Sequence, residues 1–255
     1  MAPTRRPLTC TRLLAMREPD PMATTGSASA KPDPVILARG VQFAFGTGEL
    51  RKQILFDIDL QIMPGEIVLL TGPSGSGKTT LLTLLGALRQ VDAGELYVLG
   101  RALHSSSPAE LVQVRREIGF IFQQHNLLDF LSARQNVELL FQLRPEVSDR
   151  EAGQRSEDML ASVGLGDRLD YHPSRLSGCL KQHVATARAL ALGPNLILAD
   201  EPTAALDSKS GREVVSLLHS LARERGCPVL MVTHDNRVLD IADRVVNIED
   251  GRIES

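Results

Sequence analysis

Along residues 35–45 apolar and polar positions alternate closely enough for a β-strand. Residues 54–62 read Ile-Leu-Phe-Asp-Ile-Asp-Leu-Gln-Ile, a second strand with a period of two from Phe56 onward. Pro64-Gly65 is turn chemistry. Residues 66–71 form a short strand that is apolar after Glu66, the kind buried on both faces in a parallel sheet. A glycine-rich loop follows, then a helix over residues 79–88 that is apolar on nearly every face and so belongs inside. From about 126 to 175 the pattern turns helical, with Ser132 opening one helix and Ser148-Asp149-Arg150-Glu151 predicting a capping box before another. The α/β alternation then returns. A helix stops at Gly193-Pro194, strands occupy 196–199, 229–232 and about 245–248, and a helix over 214–221 lies between the first two. Helices between apolar strands imply a parallel sheet with right-handed crossovers, its sequence split by a helical insertion. No internal repeat is visible.

Composition narrows the function class. A chain of 255 residues with 43% hydrophobic and 23% charged residues is ordinary for a globular protein; with 4% aromatics and no Trp, its core must be aliphatic. Net charge of −3 offers no basic face for nucleic acid, so no nucleic-acid partner is expected. No apolar run approaches the roughly 20 residues needed to cross a bilayer. Three widely spaced cysteines, Cys10, Cys179 and Cys227, fit a reducing compartment better than a disulfide framework. Residues 1–34, rich in Pro, Ser, Thr and Ala with Arg5, Arg6, Arg12 and Arg17, read as a disordered tail or as a start called too early, with Met16 or Met22 the true start. Their acid-poor opening has only a weak likeness to a transit peptide.

The chemistry concentrates at a few places. Gly72-Pro73-Ser74-Gly75-Ser76-Gly77-Lys78-Thr79 matches G-x-x-x-x-G-K-[ST] in full, between an apolar strand and a helix. Glycines let such a loop turn its N–H groups inward as an anion cradle, and the helix start points its positive end at the same phosphates. Lys78 reaches the β- and γ-phosphates, and the Thr79 hydroxyl suits Mg²⁺. The loop identifies a nucleotide site, not the machine around it. Residues 196–201, Leu-Ile-Leu-Ala-Asp-Glu, are an apolar strand ending in two acids: Asp200 to complete the Mg²⁺ site, Glu201 to orient or deprotonate an attacking water. Alone, that pair is equally a turn with solvated charges; about 120 residues after the cradle it reads as functional. His234, after the strand 229–232, is either an unremarkable strand-end histidine or a neutral imidazole that contacts the γ-phosphate. Gln123, at the junction with the helical insertion, can bind Mg²⁺ or water when ATP is present, although by itself it reads as a surface glutamine.

The order of the loop at 72–79, Gln123, Leu176-Ser177-Gly178, Ala199-Asp200-Glu201-Pro202-Thr203, Ala205-Leu206-Asp207 and Thr233-His234-Asp235 resembles the ABC ATPases across residues 35–255. The segments 45–56, 110–123 and 130–137 are similar to the exporter ATPases of the LolD/MacB group, most closely the DevA type. The resemblance implies a P-loop (RecA-like) α/β core with an antiparallel β subdomain and a helical subdomain at about 126–178. It implies ATP and Mg²⁺ as cofactors, with Thr80 in the cradle beside Thr79, Phe45 stacked on adenine, and Ser177 and Gly178 contacting the nucleotide of an opposite protomer. Asp207 would cross the dimer interface. The implied protein is an ATPase at the cytoplasmic face of a membrane, working as a homodimer or as a heterodimer with a second ABC ATPase. It would energise a separate permease, with a periplasmic adaptor reached through that permease, and its cargo would be lipid-like or amphiphilic. ABC-type ATPases without a transporter usually carry two ATPase domains or long coiled coils, and neither is seen. One departure stands out. The family signature Leu-Ser-Gly-Gly-Gln, soon followed by Arg, reads here Leu176-Ser177-Gly178-Cys179-Leu180, then Lys181-Gln182-His183. That departure leaves a nearly inactive regulatory subunit as a third reading. The expectation is that Cys179 replaces a glycine needed for close approach or positive φ, and that Leu180 removes a polar group from the dimer seam.

Overall fold

The structure, a computed structural model, describes residues 32–204 and 206–254. The tail read at 1–34 therefore lies almost wholly outside the described residues, as do Cys10 and Ala205. In chain order the strands are β1 (Ile36–Phe45), β2 (Lys52–Ile62), β3 (Ile67–Thr71), β4 (Ala93–Val98), β5 (Arg101–Ala102), β6 (Ile118–Ile121), β7 (Leu196–Asp200), β8 (Val229–Val232), β9 (Arg244–Glu249) and β10 (Arg252–Ile253). The α-helices are α1 (Lys78–Leu85), α2 (Pro108–Arg115), α3 (Ala133–Glu138), α4 (Asp149–Ser162), α5 (Gly178–Leu190) and α6 (Ser208–Arg225). They build two sheets: an antiparallel one in the order β2-β1-β4-β5, and a six-stranded one in the order β10-β9-β3-β8-β7-β6. The second is parallel except for its edge strand β10. This is the α/β P-loop core with an antiparallel β subdomain expected from the sequence.

Strand periodicity explains how the layers meet. In β3 every residue from Ile67 to Leu70 is fully buried, so no polar face is available. Successive side chains point to opposite sides. Ile67 and Leu69, with Ile197, Ala199, Val229 and Met231, join the cluster under α5, α6 and the inserted helices. Val68 and Leu70, with Leu196, Leu198, Leu230 and Val232, join the cluster formed with α1 and the antiparallel sheet. Both faces are thus covered, as a parallel sheet requires.

Between β6 and α5 the chain leaves the sheet and forms α3, a 3-10 turn at Leu139–Leu143 and α4. The capping box appears at Ser132, where the Gln135 side chain reciprocates. At Ser148 it forms only by half. Ser148 Oγ accepts from the Glu151 N–H, but the Glu151 carboxylate turns forward to Arg155, one helical turn on. The helix expected over 79–88 ends at Leu85, because Ala87 takes a positive φ of 55°. Cys179 and Cys227 are free thiols; burial pushes the Cys227 thiol up to about 12.

Candidate functional site

The loop 72–79 leaves β3 in a conformation open to few residues. Gly72 has φ 135°, and a Cβ there would lie 2.0 Å from the Ile248 carbonyl oxygen on β9. Gly77, with φ 104°, caps α1, and a Cβ there would meet Leu55 at 2.7 Å. Both positions therefore require glycine. Pro73, Ser74 and Gly75 form the exposed lip of the loop. The Lys78 ammonium is folded into the concavity, donating to the Gly72 and Pro73 carbonyls at 2.8 and 2.7 Å. Buried Ser76 Oγ has no hydrogen-bond partner. A buried hydroxyl without a partner and an ammonium held only by carbonyls are the donors that a phosphate oxygen would satisfy. Half-buried Thr80 accepts a bond from Thr83 Oγ1 through its backbone carbonyl.

Strand β7 brings the acids to the same place. Thr79 Oγ1 donates to Asp200 Oδ2 at 2.9 Å. Burial raises the Asp200 pKa, opposed by the Thr79 hydroxyl and the Lys78 charge. A hydroxyl and a buried carboxylate side by side are oxygen donors suited to a hard cation such as Mg²⁺. Glu201 sits just past the strand at φ 49°, a left-handed conformation unusual for glutamate, with its N–H bonded to the Val232 carbonyl of β8 at 2.9 Å. Burial raises its carboxyl too, and nearby His234 is the main opposing influence. His234 Nε2 lies 3.5 Å from Glu201 Oε1. So Lys78, Thr79, Asp200, Glu201 and His234, drawn from the ends of β3, β7 and β8, form one cluster.

The other predicted residues stand elsewhere. Ser177 and Gly178 are exposed at the start of α5, where Ser177 Oγ accepts from the Leu180 N–H at 3.4 Å. Asp207 caps α6 through Lys209 N, Ser210 N and Ser210 Oγ, and these bonds hold its carboxyl below the usual range. Gln123 is exposed beyond β6. Phe45 ends β1 at 38% exposure, so it is not a core residue; it meets Phe43 edge-on at 5.0 Å and carries the Arg89 guanidinium 4.8 Å over its ring.

One expectation about the altered signature changes, the positive φ at position 179. Cys179 lies inside α5 and is not among the positive-φ residues, so no backbone strain arises there. Leu180 is half-buried and, like Cys179, packs against the main core cluster. Sequence reasoning also missed Arg188. Its guanidinium donates to the Asn126 and His125 carbonyls at 2.6 and 2.7 Å, holding two successive left-handed residues of the segment after Gln123 against α5. Backbone carbonyls are the same for every residue type, so these partners leave no signal in the sequence.

A profile of the family described as "ABC transporter" matches residues 55–204. The chain is 46% identical over 222 residues to a macrolide export ATP-binding/permease protein MacB of Wolinella succinogenes, covering 86% of this chain and 34% of that one. It is 44% identical over 223 residues to the MacB of Marinobacter nauticus, covering 87% and 34%. It thus spans about a third of the length of these curated relatives. Among solved structures, a dimeric ATP-binding cassette in a post-hydrolysis state with ADP and Pi superposes with a TM-score of 0.82 at 39% identity, covering 86% of this chain and 97% of that one. No helix among the described residues is long and apolar enough to cross a membrane.

Proposed function

This chain belongs to the ABC transporter family, and from that premise we propose that it is the ATP-binding and hydrolysing subunit of a MacB-like exporter. The observation that carries this reading is the 2.9 Å bond between Thr79 of the phosphate loop and Asp200 at the end of β7, with Glu201 beside it. Phe45 stacks on the adenine. The backbone of residues 72–77, Ser76 Oγ and the Lys78 ammonium hold the phosphates, and Thr80 closes the start of α1. Thr79, Asp200 and Gln123 would hold Mg²⁺, which would supply positive charge opposite the phosphates. Glu201 takes a proton from water, and His234 keeps that carboxylate and the γ-phosphate aligned. Ser177 and Gly178, at the positive start of α5, face the nucleotide of a second ATPase copy, identical or homologous. Asp207 links the two sites. The domain comprises residues 35–255, with a helical subdomain at about 126–178.

We assign the membrane-spanning work to a separate permease, with an adaptor beyond it, and place the ATPase at the cytoplasmic face. The exposed apolar residues Leu128, Phe130, Leu139 and Leu143, beside the segment after Gln123, support a protein partner at this face; Phe130 is 73% exposed. Lipid-like or amphiphilic molecules are the cargo class we assign; macrolide export is what the names of the relatives state. The test is to purify the tagged chain from membranes and to assay it for phosphate release with Mg-ATP. Phosphate release and a co-purifying multi-span permease are expected. Absence of phosphate release, from the chain alone and from its membrane assembly, would refute the reading.

A further inference from the structure

Strand β6 runs beside β7 in parallel register with Ile121 opposite Ala199, so the chain beyond Ile121 leaves the sheet next to Asp200. Only Phe122, Gln123 and Gln124 separate the end of β6 from His125 and Asn126, whose φ values of 61° and 50° are both left-handed. Histidine and asparagine tolerate that region singly, but two in succession need an outside hold. The hold comes from α5. Arg188 Nη1 donates to the Asn126 carbonyl at 2.6 Å, and Nη2 donates to the His125 carbonyl at 2.7 Å. Two successive helical residues turn their carbonyls to the same side, which lets one planar guanidinium take both. The His125 ring lies against the Gly178 backbone at the start of the same helix. Burial lowers the Arg188 pKa, so placing the charge here costs stability that neutral carbonyls offset only in part. Further along, buried Asn136 of α3 also grips the segment, accepting from the Leu128 N–H and donating to the Leu128, Leu131 and Ser132 carbonyls.

We propose that Arg188 is a positioning residue for the Mg²⁺ site: through the His125 and Asn126 carbonyls it fixes the path of the chain beyond β6 and so presents Gln123 beside Asp200. Arg188 acts through this backbone and not by touching nucleotide or metal. Gln123 is exposed, so packing of its own side chain does not set its position. The backbone must do so, and it is fixed on one side by the sheet at Ile121 and on the other by Arg188. With the second hold removed, the strained pair can relax and carry the amide away from the acids. This role rests on the ATPase reading above, in which Gln123 joins Thr79 and Asp200 around Mg²⁺. Groups that orient a metal ligand without touching the metal are worth about as much to the site as a ligand itself.

The experiment is equilibrium binding of the non-hydrolysable β,γ-imido analogue of ATP to the full chain, once with Mg²⁺ and once with a chelator in its place. The natural chain should bind the analogue more tightly with Mg²⁺. Arg188→Met keeps an apolar stem and removes every donor. It should leave the affinity without Mg²⁺ unchanged, because the cradle on β3 and α1 is untouched, and cut the gain from Mg²⁺ by about tenfold. In a Gln123→Ala background the same change should alter that gain by less than about twofold, because residues acting through one another are not additive. A merely structural role would give additive losses. Arg188→Lys should lose less than Arg188→Met, since an ammonium can take two carbonyls in the way Lys78 does. Asn126→Val, which disfavours the left-handed region, should also reduce the gain, whereas Asn126→Gly should not. A natural chain indifferent to Mg²⁺ overturns the site reading and this proposal together. If the natural chain responds to Mg²⁺ and a folded Arg188→Met chain responds as strongly, or if the losses from Gln123→Ala and Arg188→Met add, this proposal alone falls. Should Arg188→Met not fold, equal responses of Asn126→Val and Asn126→Gly overturn it.

Discussion

The cluster at the strand ends and the pair of helix starts at Ser177 and Asp207 are built in different ways. Lys78, Thr79, Asp200, Glu201 and His234 take their positions from β3, β7 and β8, three strands of one parallel sheet that is buried on both faces. Contacts between elements tie the cluster together: Thr79 to Asp200, the Glu201 backbone to Val232 and the Glu201 carboxylate to His234, while Lys78 is held by its own loop. Ser177 and Asp207 are each fixed by their own helix, through N-cap bonds to residues two or three positions ahead. One region is assembled by the fold of a single chain; the other presents two polarised helix starts at the surface. Substitutions in the first break a shared network. In the second they act locally, and packing absorbs them.

The largest effect should come from Glu201→Gln. The amide cannot take a proton from water, so kcat should fall by about 10²- to 10⁴-fold while ATP still binds. Size-exclusion chromatography with Mg-ATP should then show a trapped dimer; turnover at the natural rate would remove Glu201 from the role of base. Lys78→Ala comes next. It deletes an ammonium engaged in two charge-assisted bonds within the loop. At about 1.5–3 kcal/mol for a lost interaction of this class, nucleotide affinity should fall roughly ten- to more than a hundredfold, measured by equilibrium binding. Unchanged affinity would mean that the loop is not the phosphate cradle.

A smaller effect concerns pH. Burial raises the Glu201 carboxyl, so as pH falls it protonates sooner than an ordinary glutamate, near 4.3, and the base is lost. The acid limb of kcat should therefore lie above that value. His234 opposes the rise, so His234→Ala should move the limb to still higher pH. A limb that stays fixed or moves down would separate His234 from Glu201.

The sequence is most legible where chemistry demands particular residue types at fixed spacing between fully apolar strands. That is why the strand–loop–helix at 67–85 and the acid-ended β7 stand out before any coordinates. It is least legible where elements are half-exposed. β4 buries only Leu96 and Val98 of its six residues. β5 and β10 have two residues each, and α2 buries only Leu111 and Val114 of its eight. The left-handed backbone of Glu201 was equally hidden, since glutamate carries no sign of it. At Cys179 the family's glycine suggested a backbone requirement, whereas the structure has an ordinary helical residue there.

That last difference sets the smallest expected effect, in the double variant Cys179→Gly with Leu180→Gln. With no positive φ at Cys179, the strain that a glycine would relieve is absent. What remains is the polar side chain at position 180 and whatever it offers across a dimer. Against it stand two costs. Glycine in a helix is about 0.5–1 kcal/mol worse than an ordinary residue. Taking Leu180 out of its half-buried contact with the core loses part of the roughly 1.5–3 kcal/mol that full burial of a leucine contributes. The variant should therefore melt several degrees lower, at about 2–4 °C per kcal/mol for a domain of this size. Its maximal ATPase rate should rise by less than about tenfold, and its nucleotide affinity should not change, because the cradle on β3 and α1 is untouched. Calorimetric melting and steady-state phosphate release measure the two sides. A hundredfold faster variant with an unchanged melting temperature would show that positions 179 and 180 govern catalysis and carry no packing, and the division between the two regions would fail at that point.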